Sequence, residues 1–248
     1  MGGKMLIAGN WKMNGTHAEA AAFLEKLRGL KPESRPGRQL LICPPATLIA
    51  EMSEPLAALD VLTGGQNCHP GVNGAFTGDI SAGMLRDAGA SHVILGHSER
   101  RAMHGETDRA VHVKAQAARR HGLIPIICVG ETLEEREAGR AEMVVREQIR
   151  ESVPDEVEAG TLVIAYEPVW AIGSGRSATL DDIRTIHHII HEALSGKLDD
   201  PHSGLILYGG SVKPGNAAEI LALDCVGGAL IGGASLDAGD FMAIADAA

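Results

Sequence analysis

The stretch that decides the architecture runs from Leu205-Ile206-Leu207-Tyr208-Gly209-Gly210-Ser211 through Asn216–Leu223 to Ala229-Leu230-Ile231-Gly232-Gly233. An apolar run ends in a glycine pair, a short helix-forming segment follows, and a second apolar run ends in a second glycine pair. Neither run alternates with polar residues, as expected of strands buried on both faces of a parallel sheet. Working outward, the same beat recurs at Met5–Ala8, Leu40–Cys43, Val61–Thr63, His92–Leu95, Ile124–Val129 and Leu162–Tyr166. Helical spacing fills the intervals at Ala18–Leu30, Thr47–Leu59, Thr107–His121, Glu134–Val153 and Leu180–Leu194, with shorter pieces at Ser81–Ala88, Asn216–Leu223 and Gly239–Ala247. Thr179, Asp181 and Asp182 suit the start of one helix. Gly29, Gly122 and Gly196 stand where helix ends call for a left-handed residue.

Strand then helix, eight times in 248 residues, predicts an α/β chain folded as a (β/α)8 barrel, one domain over 1–248. Periodicity leaves a doubly wound open sheet in competition. No Pro/Ser-rich linker divides the chain.

Composition narrows the function. Lys plus Arg number 22 against 32 Asp plus Glu, a net charge of −10 that argues against nucleic acid, whose phosphates require clustered cations. No apolar run approaches the roughly 20 residues that span a bilayer. Met5–Ala8 is too short for a signal-peptide core, and the first residues lack the Ser or Thr of a myristoylation site, so the expectation is a cytoplasmic protein without a membrane partner. Cys43, Cys68, Cys128 and Cys225 are scattered without a Cys-x-x-Cys, which predicts free thiols.

Barrel chemistry sits at the carboxyl ends of the strands. Those ends carry Asn10 and Lys12 after the first run, Gln66 after the third, His97 and Glu99 after the fourth, and Glu167 after the sixth. The turns after the last two, Gly209-Gly210-Ser211 and Gly232-Gly233, occupy the usual phosphate position of barrels. Singly, each has a plainer reading: a satisfied loop histidine, a solvated glutamate, a lysine paired with Glu99. Together they make a cation, an imidazole and carboxylates converging on a phosphate cradle.

Asn10-Trp11-Lys12-Met13-Asn14, Gly96-His97-Ser98-Glu99-Arg100-Arg101, Ala165-Tyr166-Glu167-Pro168-Val169-Trp170-Ala171-Ile172-Gly173 and Tyr208-Gly209-Gly210-Ser211-Val212 resemble, in order, the defining motifs of the triosephosphate isomerase family. The resemblance covers essentially the whole chain. It implies a TIM barrel and a cofactor- and metal-independent isomerase of glycolysis and gluconeogenesis, acting on a small phosphorylated sugar. The family moves a proton between adjacent carbons through an enediolate, a familiar case of pKa tuning. By resemblance Glu167 is the base, His97 the neutral electrophile and Lys12 the electrostatic and substrate-binding group beside Asn10. Gly173, Ser211, Gly232 and Gly233 would hold the phosphate.

Pro168–Arg176 resembles the family's lid, with Ser174 and Arg176 where relatives commonly carry Thr and Lys. The loop Asn73–Asp79, with Phe76, resembles the one that inserts into a second subunit and implies a homodimer, with Asp79 where Glu is usual; a tetramer stays open. A related isomerase of a longer sugar phosphate, such as a tetrulose phosphate, stays in play, as does a binding protein on the same barrel. Two patterns point elsewhere. Gly173-Ser174-Gly175-Arg176-Ser177-Ala178 matches G-x-G-x-x-A but does not directly follow a strand. His187-His188-x-x-His191 has zinc-like spacing without the protease glutamate, so packed or solvated histidines are expected.

Overall fold

A computed structural model describes residues 5–34, 37–155, 157, 158, 160–172, 177–195, 197, 198 and 205–248. Among these, eight strands run parallel in chain order: β1 (Met5–Asn10), β2 (Arg38–Cys43), β3 (Val61–Gly65), β4 (His92–Leu95), β5 (Ile124–Val129), β6 (Val163–Tyr166), β7 (Leu205–Tyr208) and β8 (Gly228–Ile231). β8 pairs back onto β1, with Leu6 opposite Gly228 and Gly9 opposite Ile231, so the sheet closes into a TIM barrel. Closure removes the open-sheet alternative. Glycine is required at this seam: Gly228 has φ 146° and a Cβ there would stand 1.9 Å from the Leu6 carbonyl oxygen.

Alternation along each strand divides the apolar side chains into two sets. Leu6, Ala8, Leu41, Cys43, Ile94, Ile126, Cys128, Ala165, Leu207 and Leu230 pack inside the barrel. Ile7, Ile42, Val93, Ile127, Ile164, Tyr166, Ile206 and Tyr208 point outward against the helices. Continuing the inward series by two residues from Ala8, Ala165, Leu207 and Leu230 reaches Asn10, Glu167, Gly209 and Gly232. The period that builds the core therefore delivers these four to the carboxyl rim.

The described helices are α1 (His17–Gly29), α2 (Ala46–Ala57), α3 (Ala82–Asp87), α4 (Ser98–His104), α5 (Asp108–Arg120), α6 (Leu133–Glu137), α7 (Ala141–Ser152), α8 (Leu180–Leu194), α9 (Ala217–Leu221) and α10 (Ala238–Asp246). Thr179 caps α8 in a reciprocal box with Asp182, and Ile183, Ile186, Ile190 and Leu194 form its buried face. The helix predicted over 134–153 is two, α6 and α7, separated at Gly139 with φ 69°. The sequence reading has no helix at α4, because Ser98 is its only buried residue and no apolar stripe marks it. Gly122 has the expected left-handed backbone (φ 71°); Gly29 stays within α1, and Lys31 (φ 50°) turns the chain instead. Gly196 lies outside the described residues. No described helix is long and apolar enough to cross a membrane.

Candidate active site

A cavity of about 250 Å³ opens at the carboxyl end of the barrel, lined by Asn10, Lys12, His97, Glu167, Ser211, Gly232 and Gly233 among others. Seven of the eight residues expected to bind or catalyse thus meet in one hollow; the eighth, Gly173, lies outside the described residues, as do Ser174 and Arg176.

Glu167 is 2% exposed, and both of its oxygens are engaged. The Ser98 amide donates to Oε2 at 2.9 Å, and His97 Nε2 lies 2.8 Å from Oε1. Burial pushes the carboxyl up, but His97, the Ser98 amide and the Cys128 thiol outweigh it, and the group sits below its ordinary value. The same contact, added to burial, drives the Cys128 thiol up.

His97 caps α4. The amide of Glu99, in the first turn, donates to His97 Nδ1 at 3.2 Å. The same geometry turns Nε2, the other ring nitrogen, toward Glu167. Helix α4, invisible to periodicity, fixes the orientation of the ring.

Lys12 is bent into the left-handed region at φ 53°, a costly conformation for a residue with a Cβ. Two contacts hold it: Asn10 Oδ1 accepts from its amide at 3.0 Å, and Gln66 Nε2 donates to its carbonyl at 2.8 Å. The ammonium meets Glu99 Oε1 at 2.5 Å. The anticipated Lys12–Glu99 pair is present, on the same rim as His97 and Glu167.

The two glycine pairs have different causes. At Gly210 a Cβ would meet Tyr208 Oη at 2.2 Å, and at Gly209 it would meet Glu167 Cγ at 3.0 Å, so the protein itself demands these two. At Gly233 a Cβ meets nothing within 4 Å, and at Gly232 only Lys12 Cε at 3.8 Å. There the space above the backbone is open to the cavity.

Residues after the second and fifth runs escaped the reading of strand ends, and the fifth carries two that matter. Glu131 is fully buried; it accepts from Trp170 Nε1 at 2.7 Å and from the Tyr166 hydroxyl at 3.2 Å, with Arg136 at 3.3 Å. Its carbonyl also takes the Val169 amide at 3.1 Å, so one glutamate fastens the start of the segment after Pro168. Burial and then Glu131 drive the Tyr166 hydroxyl upward, keeping it a neutral donor. At Gly130 a Cβ would stand 1.7 Å from the Glu167 carbonyl oxygen. The signal was available: a Gly-Glu pair ends an apolar run, as at other strand ends. Gly130→Ala must move the backbone of Glu167, and a displacement of about 1 Å at a reacting group can lower kcat about 10²-fold. Steady-state kinetics beside a melting curve would separate this from unfolding; unchanged kcat would show that Glu167 is not held from behind.

The sequence profile of the triosephosphate isomerase family matches residues 5–248. The triosephosphate isomerase of Afipia carboxidovorans is 56% identical over 98% of this chain and 96% of its own. That of Xanthobacter flavus is 54% identical over the same shares. The crystal structure of triosephosphate isomerase from Bartonella henselae superposes with a TM-score of 0.88 at 48% identity, covering 98% of each chain. The chain belongs to the triosephosphate isomerase family and is an isomerase.

Proposed function

We propose that the chain interconverts dihydroxyacetone phosphate and D-glyceraldehyde 3-phosphate by proton transfer through an enediolate. Glu167 takes a proton from the carbon beside the carbonyl, His97 Nε2–H donates to the carbonyl oxygen, and Lys12 offsets the developing negative charge. The proton then returns from Glu167 to the neighbouring carbon, and His97 passes a proton between the two oxygens, so that the former hydroxyl becomes the carbonyl and the former carbonyl the hydroxyl. Asn10 orients Lys12, and the backbone at Ser211, Gly232, Gly233 and Gly173 receives the phosphate.

The observation that carries this reading is the placing of His97, whose Nδ1 receives the Glu99 amide and whose Nε2 lies 2.8 Å from the buried carboxylate of Glu167. A base and a neutral donor side by side suit a carbon acid next to a carbonyl. In the resting arrangement three donors quiet the carboxylate. Leaving them for the substrate in a drier site raises its proton affinity when the C–H is attacked. Closure of the segment from Pro168 would supply that dryness; in the present arrangement Glu131 holds Trp170 of that segment.

A cavity of about 250 Å³ is in keeping with a small phosphorylated sugar. A coupled assay with glyceraldehyde 3-phosphate tests this. Fast turnover supports the reading; a protein that binds the triose but turns over only a tetrulose phosphate would replace it.

Lys213 also lines the cavity, is exposed, and pairs with no carboxylate among the described residues. In a chain of net charge −10 it is placed to draw a phosphate in. A unit charge about 6 Å from another in a water-like dielectric is worth about 0.7 kcal/mol, so Lys213→Gln should lower kcat/KM about threefold at low salt. The gap should close as salt is raised; a salt-independent gap would make Lys213 a contact rather than a guide.

The same reading includes a homodimer in the cytoplasm. Phe76 is 47% exposed on its loop, its ring tilted over that of His69 with centroids 4.0 Å apart, and Met13, next to Lys12, and Met103, on α4, are 96% and 78% exposed. Large apolar groups left in water at a functional end suit a partner surface. Phe76→Asp should shift the sedimentation of the protein toward monomer, with activity falling alongside; a wild type that sediments as a monomer would end this part of the proposal.

A further inference from the structure

Helix α8 carries His187, His188 and His191, and the structure separates their roles. His187 turns inward: it is fully buried, its Nδ1 lies 3.1 Å from the Cys225 carbonyl oxygen, and its ring stands edge-on to Tyr166. The i, i+4 histidine pair is therefore not a metal pair. The same bond pins the turn between α9 and β8 against α8. His188, one position on, is exposed, and the pinned turn brings Asp224 and Cys225 beside it. One donor atom from each, an imidazole nitrogen, a carboxylate oxygen and the Cys225 sulfur, lie within 4.8 Å of one another. Cys225 is 6% exposed and fixed in place, while His188 and Asp224 are exposed and free to adjust.

We propose that His188, Asp224 and Cys225 form a binding site for a borderline-soft divalent cation of the zinc class. Zinc bonds of about 2.0–2.3 Å set tetrahedral donors a little over 3 Å apart, so the cluster need contract by about 1 Å, within the swing of two exposed side chains. Water completes the shell. Thiolate with imidazole selects zinc or cobalt over magnesium or calcium. As the sulfur–metal bond forms, the Cys225 proton passes to solvent, and thiolate plus carboxylate balance the ion's two charges. Asp224 and Cys225 lead into β8, at the end of the barrel opposite the reaction cavity. The ion would tie α8 to β8, adding stability by mass action rather than altering turnover.

Cobalt(II) titration of the intact chain tests this, because a cobalt–thiolate bond brings a charge-transfer absorption in the near ultraviolet. The absorption should appear in the wild type, be displaced by zinc, and vanish in Cys225→Ala. Cys43, Cys68 and Cys128 are at most 1% exposed and cannot supply it. His188→Ala changes an exposed side chain and spares the fold; it should weaken cobalt binding by about tenfold or more. Zinc should also raise the melting temperature of the wild type and not of His188→Ala. No absorption up to millimolar cobalt, an equal absorption in Cys225→Ala, or unchanged affinity in His188→Ala would each overturn the site.

Discussion

Replacing Glu167 by Gln should lower kcat by about 10²–10⁴-fold, the span that a positioned general base contributes. The amide matches the carboxylate in size and cannot accept a carbon-bound proton, so the loss should fall on kcat more than on KM. Glu167→Asp keeps the base and withdraws it by about one methylene; it should retain more activity than Glu167→Gln, an order that a purely space-filling role would not produce. The resting contacts also set the pH profile. The acid limb of kcat/KM reports the free enzyme. With the carboxyl held below its ordinary value near 4.5, that limb should lie below pH 4.5, activity being present above it and lost as pH falls through it. Equal turnover in the wild type and Glu167→Gln, measured in the coupled assay, would sink the mechanism.

Lys12→Met should lower kcat/KM by about 10²–10³-fold, comparable to removing one preorganised donor from a developing oxyanion. Met must adopt the same left-handed backbone, so the comparison isolates the charge. Part of the loss comes from the residue left behind. Lys12 holds Glu99 at 2.5 Å, and the other Glu99 oxygen lies 3.6 Å from His97 Nδ1. Without the ammonium, that carboxylate favours a proton on Nδ1 and competes with the Glu99 amide that keeps the ring in its donor form. The double variant Lys12→Met with Glu99→Gln should then recover several-fold of the activity. If the double variant is no better than the single, Glu99 does not act through His97. Lys12→Arg is not a neutral control, since a planar guanidinium cannot replace a point charge in this pocket.

The strands were legible because burial on both faces writes continuous apolar runs, and β4, β5 and β7 coincide with the runs read for them. Elsewhere the ends slip where a polar or glycine residue belongs to the strand, as at Asn10, Gly65 and Gly228, and β6 begins one residue later than read, leaving apolar Leu162 outside it. Helix α4 was not legible, since its residues serve His97 and Arg101 rather than a packed stripe; Arg101 instead reaches the Gly96 carbonyl at 2.7 Å and the Cys128 carbonyl at 3.1 Å. Closure of the barrel was expected from the eight strand–helix repeats and the family resemblance, while periodicity alone left an open sheet in competition; the pairing of Leu6 with Gly228 is what decides between them. In the site, the groups facing the cavity could be named because strand ends are predictable. The groups that hold them could not, because Glu131 on Trp170, Ser98 on Glu167 and Gln66 on Lys12 are pairings between distant segments.

The seam between β1 and β8 bears on how the protein acquires activity. It joins the two ends of the chain: Trp11 Nε1 donates to the Ser235 carbonyl across 224 residues. Neighbouring strands can meet early and locally, but this closure carries the largest loop entropy, and the inner apolar cluster is rewarded only once it is made. Asn10 and Lys12 lie on one side of the seam, Gly232 and Gly233 on the other. A chain with most of its helices formed and the seam open has neither phosphate cradle nor aimed ammonium. During refolding, turnover should therefore return later than far-ultraviolet dichroism, and the lag is the lifetime of the open barrel.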